Sequence, residues 1–168
     1  MSEADRSAED PMPAIRVHVG DPVALGAGDL IAQLDAYQAA LYPPESNHLL
    51  PMDVLRQPDV TFLTVTVDGR LAGCGAFGNR GDYAEIKRMF VVPAFRGLGL
   101  GRRILDELEK LIGLAGLNTA RLETGVSQPE ALGLYAKAGY ERRGPFGDYV
   151  EDPLSVFMEK RWASHKES

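Results

Sequence analysis

Apolar and polar positions change period several times along the 168 residues, and each change marks an expected element. Ala14 to Val19 sets Ile15, Val17 and Val19 against Arg16 and His18, the period of a strand with one buried face. From Leu30 the spacing turns helical through Ile31, Leu34, Tyr37, Ala40 and Leu41, with Asp29 placed to cap the start and Pro43-Pro44 to end it. A short second helix is expected around Met52 to Gln57. Val60 to Val67 is β-branched and aromatic, Asp68-Gly69 signals a two-residue hairpin turn, and Leu71 to Phe77 is the returning strand. Ala84 to Val92 adds a third strand in this series, which Pro93 stops. A helix from about Gly99 to Ala115 follows, with Gly116 as its stop, then a strand over Ala120 to Thr124. Pro129 opens a helix through Ala138, and Tyr140 to Arg143 and Leu154 to Lys160 form a last strand pair around the loop Gly144 to Pro153.

This order lacks regular βαβ alternation in its first half, which favours a mixed, largely antiparallel sheet over a doubly wound parallel one. The expected fold class is α/β of the α+β kind, a mixed, mostly antiparallel sheet of six to seven strands flanked by about four helices. Residues 1–13 have no apolar period and read as a flexible leader, and residues 14–168 read as a single domain.

Composition narrows the partners. A formal net charge of −6 argues against nucleic acid or an anionic membrane surface as the main partner. An anion site must therefore be a local basic island, which Lys87, Arg88, Arg96, Arg102 and Arg103 can supply. The single cysteine, Cys74, excludes an internal disulfide and a cysteine-based metal cluster; within an apolar strand it reads as a small buried residue. No apolar run approaches the roughly 20 residues of a membrane span, and the expected location is the cytoplasm. No histidine or carboxylate cluster has metal-ligand spacing, so no metal is expected.

The chemistry concentrates in Arg96-Gly97-Leu98-Gly99-Leu100-Gly101-Arg102-Arg103, between a strand and a helix. Glycines there let bare amides approach an anion, and the positive end of the helix faces the same charge. A nucleotide-triphosphate loop would need G-x-x-x-x-G-K-[ST], which is absent, and a dinucleotide fingerprint would need G-x-G-x-x-G where the chain has G-x-G-x-G. A dinucleotide reading could still enlist Glu123 as a ribose-binding acid, but antiparallel strands precede the loop and the chain is short for two halves.

Arg96 to Gly101 matches the [RQ]-x-x-G-x-[GA] motif of the GNAT superfamily of acyl-CoA-dependent N-acyltransferases, and Leu134-Tyr135-Ala136-Lys137-Ala138-Gly139-Tyr140 is similar to that family's L-Y-x-x-x-G-[FY] segment. From about Ala14 onward the chain resembles that family in element order. Segments such as Pro43-Pro44-Glu45-Ser46 and Pro145-Phe146-Gly147-Asp148-Tyr149 further resemble a subgroup of small bacterial acetyltransferases. The resemblance implies acetyl-CoA as co-substrate, without a metal. It implies that amides of about Leu98 to Arg102, with Arg96, Gly97, Gly99, Leu100 and Gly101 shaping the loop, hold the pyrophosphate. Main-chain groups of Met89, Phe90 and Val91 would pair with the pantetheine arm, and an amide at the end of that strand would polarise the thioester carbonyl.

The reaction then needs a proton acceptor for the amine and a donor for the departing thiolate. Tyr135 is the candidate acid; the competing reading is an aromatic ring packed on the sheet. Glu85 is the candidate base, expected to share a strand face with Lys87, Met89 and Val91; the competing reading is a carboxylate paired with Lys87 or Arg88. Glu123 is the rival base. The acceptor pocket is expected where Tyr42, Glu45, Ser46 and His48 meet Asp148, Tyr149 and Glu151, an acidic set suited to a small-molecule amine, although His48 alone is weak evidence. An acyl-CoA-binding module without catalysis, and a protein or peptide acetyltransferase, are the alternative functions. Dimers are common among relatives of this kind, but no segment of the sequence locates an interface.

Overall fold

The computed structural model describes residues 12–43 and 52–163. Its elements in chain order are β1 (Ile15–Val19), α1 (Gly28–Leu41), α2 (Met52–Leu55), β2 (Val60–Val67), β3 (Arg70–Asn79), β4 (Ala84–Val91), a 3-10 turn (Pro93–Phe95), α3 (Leu100–Leu114), β5 (Thr119–Gly125), α4 (Pro129–Lys137), β6 (Glu141–Arg143) and β7 (Ser155–Arg161). The strands form one sheet of seven in the order β1-β2-β3-β4-β5-β7-β6. Every neighbouring pair is antiparallel except β4 with β5. Asp68 and Gly69 make the β2–β3 turn with φ of 49° and 81°, the paired left-handed geometry that the Asp-Gly signal demands. One local expectation fails: Ala27, not Asp29, occupies the N-cap of α1, and Asp29 sits in the first turn, where a carboxylate favours the helix dipole.

The two faces of the sheet are covered by different helices. α3 buries Leu100, Ile104, Leu105, Leu108 and Ile112 against Leu63, Val65, Phe77, Ile86 and Leu122. On the other face α1 places Leu30, Ile31 and Leu34 against Phe62, Cys74, Ala76 and Phe90. α3 lies close to β3 because Gly75 has no side chain; a Cβ there would come within 2.6 Å of Ile104 Cγ2. Cys74 is fully buried and its thiol is pushed up to about 12 by desolvation, which suits packing and not nucleophilic attack.

β4 carries the irregularity that shapes the centre. Ala76 pairs with Lys87 and Cys74 with Phe90, so the single residue Gly75 opposes both Arg88 and Met89. Arg88 takes φ of 60°, a left-handed bulge held by its own contacts: its guanidinium reaches Asp35 of α1 at 2.5 Å, and its carbonyl accepts the Cys74 thiol at 3.2 Å. The bulge reverses the alternation. Met89 and Val91 join the α3 core, whereas Lys87 stays with its partner Ala76 on the α1 face. The expected common face of Glu85, Lys87, Met89 and Val91 is therefore broken between Lys87 and Met89.

β4 and β5 pair only through Ala84 with Ala120, Glu85 with Arg121, and Ile86 with Leu122. Beyond that point β4 runs on to Val91 and β5 to Gly125 without ladder bonds between them. A gap in the sheet results, bordered on one side by main-chain groups of β4 that have no strand partner there.

Candidate active site

The loop that closes the wide end of this gap begins at Pro93, whose ring ends the strand and opens the 3-10 turn. Gly97 and Gly99 then adopt φ of 90° and 73°, and Gly99 caps α3. A Cβ at either position would meet nothing within 4 Å, so these glycines answer to backbone conformation and not to space. Gly101 differs, lying inside α3 where an added Cβ would stand 3.2 Å from Leu134 of α4. The first amides of α3 have no partner in their own helix and point at the loop. Arg102 and Arg96 add charge beside them, Arg102 being steadied by Asp106 at 2.9 Å. Leu98 is 44% exposed and, like Arg103, does not line the cavity, unlike the other loop positions singled out in the sequence.

A cavity of about 520 Å³ runs from this loop through the gap. Met89, Phe90, Val91, Arg96, Gly97, Gly99, Leu100, Gly101 and Arg102 border one end, and Tyr42, Glu85, Glu123, Tyr135 and Tyr149 the rest. Sequence reasoning thus brought together residues from β4, α3, β5, α4 and two loops. Glu45, Ser46 and His48 lie outside the described residues. Asp148 and Glu151 are exposed and do not line the cavity, in contrast to Tyr149 between them. Among the described residues no group of three or more histidine, cysteine, aspartate or glutamate side chains is arranged to hold a metal ion. Among them too, no helix is long and apolar enough to cross a membrane.

Tyr135 comes from α4 and is buried in the α3 core, its ring edge-on to Tyr140 at 5.8 Å. Burial, then the negative charge of Glu123, raises its pKa above the ordinary phenol value. Glu123 stands on β5 one residue beyond the last β4 pair and accepts a hydrogen bond from Ser155 Oγ at 2.8 Å. Glu85 is committed elsewhere. Its Oε1 accepts from Arg80 Nη2 at 3.2 Å and lies 3.7 Å from Lys87 Nζ, and its Oε2 accepts from Tyr149 at 2.6 Å.

The sequence reading named Tyr42 for the acceptor pocket and Lys87 for a basic island, but it gave no part to Gly125 or Gln128 and did not show what holds Tyr42 or that Lys87 enters the cavity. Tyr42 lies over the end of β5, where its hydroxyl accepts from Ser127 N at 3.3 Å and donates to Gln128 Oε1 at 3.2 Å. Gly125 makes that possible, since a Cβ there would collide with the Tyr42 ring. Lys87 reaches the cavity from β4, with its side chain 12% exposed. The Gln128-Pro129 step was a visible helix-start signal, but nothing in the chain order indicated that Gln128 would meet Tyr42.

The parted sheet and the glycine-capped helix open one cavity with Tyr135 on its wall, and the relatives that share this fold are acyltransferases. The chain belongs to the GNAT family: the model of the Acetyltransferase (GNAT) family matches residues 30–140. It is 46% identical over 151 residues to an IAA acetyltransferase of Azospirillum brasilense, covering 89% of this chain and 99% of that one. It is 37% identical over 122 residues to the uncharacterized N-acetyltransferase YsnE of Bacillus subtilis, covering 71% of this chain and 81% of the relative. A crystal structure from Klebsiella pneumoniae, of a protein classed among acyl-CoA N-acyltransferases, superposes with a TM-score of 0.73 at 35% identity, over 88% of this chain and 97% of that one. The PaiA N-acetyltransferase of Thermoplasma acidophilum, solved with coenzyme A, shares the fold with a TM-score of 0.70 at 21% identity, over 89% and 99% of the two chains. The protein is accordingly an N-acetyltransferase, in a family whose acyl donor is acetyl-CoA.

Proposed function

We propose that the chain transfers an acetyl group from acetyl-CoA to the primary amine of a small molecule by direct attack, with Glu123 as base and Tyr135 as acid. The observation that carries this reading is the parting of β4 and β5 after Ile86 and Leu122, which leaves a passage between Tyr135 on the α3 side and Glu123 across the sheet. The donor fits the residues present: left-handed Gly97 and Gly99 present free amides and the start of α3 to a pyrophosphate, with Arg96 and Arg102 beside it. The edge of β4 that β5 leaves after Ile86 suits an extended, amide-bearing arm.

A thioester is already activated, so the protein's work is orientation and proton management. Glu123 takes the proton of the incoming nitrogen, directly or through water. Glu85 is the weaker candidate because Arg80, Lys87 and Tyr149 already occupy its oxygens. Tyr135 is kept protonated by burial. Transfer from it to a thiolate of reference pKa about 8.5 is uphill, so it acts first as a hydrogen-bond donor to the charge growing on sulfur and completes the transfer as the thiol leaves. The test is thiol release from acetyl-CoA over a panel of primary amines, with the product identified by mass. Release matched by an acetylated amine supports the reading, and tight acetyl-CoA binding with no turnover on any acceptor points to a binding module.

A further inference from the structure

Lys87 is a charged group of the cavity that the reaction above does not use. Its side chain is 12% exposed, and its contact with Glu85 Oε1 is 3.7 Å, longer than a direct hydrogen bond. That oxygen already accepts from Nε and Nη2 of Arg80 at 3.3 and 3.2 Å, and the other oxygen takes the Tyr149 hydroxyl. One carboxylate thus serves two cations, while Arg80 has its other ion pair with Asp59 at 3.4 Å on the exposed side. An ammonium so far withdrawn from water, with three donors and a shared, distant counter-charge, is a poor end state and a good anion receptor.

Register gives the receptor its meaning. Ile86 and Leu122 are the last pair before the strands part, so Lys87 and Glu123 are the first residues on either lip of the gap. The bulge at Arg88 keeps Lys87 on the α1 face, whereas the phosphate loop follows Val91 at the far end of the strand. A cation and an anion therefore flank the acceptor end of the cavity, away from the site for pyrophosphate.

We propose that Lys87 receives a carboxylate of the acceptor, so that the preferred substrate is an amine that also bears a carboxylate, an amino acid in its general form, with Glu123 at its amino end. This rests on the N-acetyltransferase reading and deepens it. The experiment compares amino acids with their own carboxamides as acceptors, by thiol release and by calorimetric binding to the CoA-saturated protein. The acids are expected to exceed the amides in kcat/KM by about 10- to 100-fold, the range of a charge-assisted contact. Lys87→Met is expected to bring the ratio near one and Lys87→Arg to retain it, with thermal melts checking that each variant folds. Equal kcat/KM for acid and amide in the wild type, or a preference surviving in Lys87→Met, overturns the proposal and leaves the acetyltransferase reading standing. If acetyl-CoA binds but no amine is acetylated, that reading fails instead, and the calorimetric comparison still decides whether Lys87 selects a carboxylate.

Discussion

Tyr149 donates its hydroxyl to Glu85 Oε2 at 2.6 Å, and this contact ties the long loop after β6 to the strand bordering the gap. The loop is otherwise held by aromatic edges: Phe146 lies 5.2 Å from Tyr149 and 5.8 Å from Phe157, and Tyr149 lies 5.4 Å from Phe157. Tyr149→Phe keeps those rings and removes only the hydroxyl. Because Arg80 and Lys87 still pair with the other oxygen of Glu85, the cost is expected near the low end for a charged hydrogen bond, about 1.5 kcal/mol, read by urea unfolding. The larger effect is expected in acceptor KM, since the loop forms one wall of the cavity.

Glu123→Gln and Glu85→Gln separate the two carboxylates. A base must be ionised, so the rate rises with pH through its pKa, and loss of the base removes that acidic limb. Glu123→Gln is expected to lower kcat by about 10²- to 10³-fold and flatten the limb. Glu85→Gln is expected to keep the limb and weaken acceptor binding. The opposite pattern would transfer the role to Glu85.

Tyr135→Phe is expected to lower kcat by about 10²-fold with acetyl-CoA affinity little changed, measured by single turnover and calorimetry. Burial also links tyrosines to stability. Tyr135, Tyr140 and Tyr149 all have pKa values raised above 10.0, chiefly by desolvation, and Cys74 is raised from 9.0. A group with a raised folded pKa stabilises the fold fully below its unfolded value and loses that contribution as pH climbs beyond it. Lys87, whose pKa burial lowers from 10.5, works in the opposite sense. The raised groups outnumber it, so unfolding free energy is expected to fall steeply above about pH 10, by roughly 1.4 kcal/mol per pH unit for each such group. A denaturant series from pH 8 to 11 reads this directly.

Gly125→Ala tests the seat of Tyr42. The new methyl collides with the Tyr42 ring, and overpacking of this kind costs about 1–3 kcal/mol. Acceptor KM is expected to rise as the ring leaves the cavity wall. Adding Tyr42→Ser to the same chain is expected to recover the stability and not the KM.

Much of the fold was legible because local signals agreed with one another. The Val60–Val67 strand was read to the residue, and the helical period of Leu100, Ile104, Leu105, Leu108 and Ile112 is the face that α3 buries. The loop glycines at 97, 99 and 101 were read as one set, but only 97 and 99 take the left-handed backbone, whereas Gly101 lies inside α3. The position of Asp148, exposed and off the cavity wall, was not legible, because acidity in a loop says nothing about which side of the loop faces the cavity. The shared face assigned to Glu85 and Met89 misled because strict alternation assumes an unbroken ladder.

By itself the sequence determined the order of elements and, through its glycine loop and the segment around Tyr135, the family, since period, turn chemistry and motif spacing are properties of neighbours along the chain. Only the tertiary structure decided which side chains meet Glu85 and on which face of the sheet Lys87 stands. Those depend on the bulge at Arg88, clasped by Asp35 from α1, and on the parting of β4 from β5. Both are contacts between segments far apart in the chain, which no local pattern encodes.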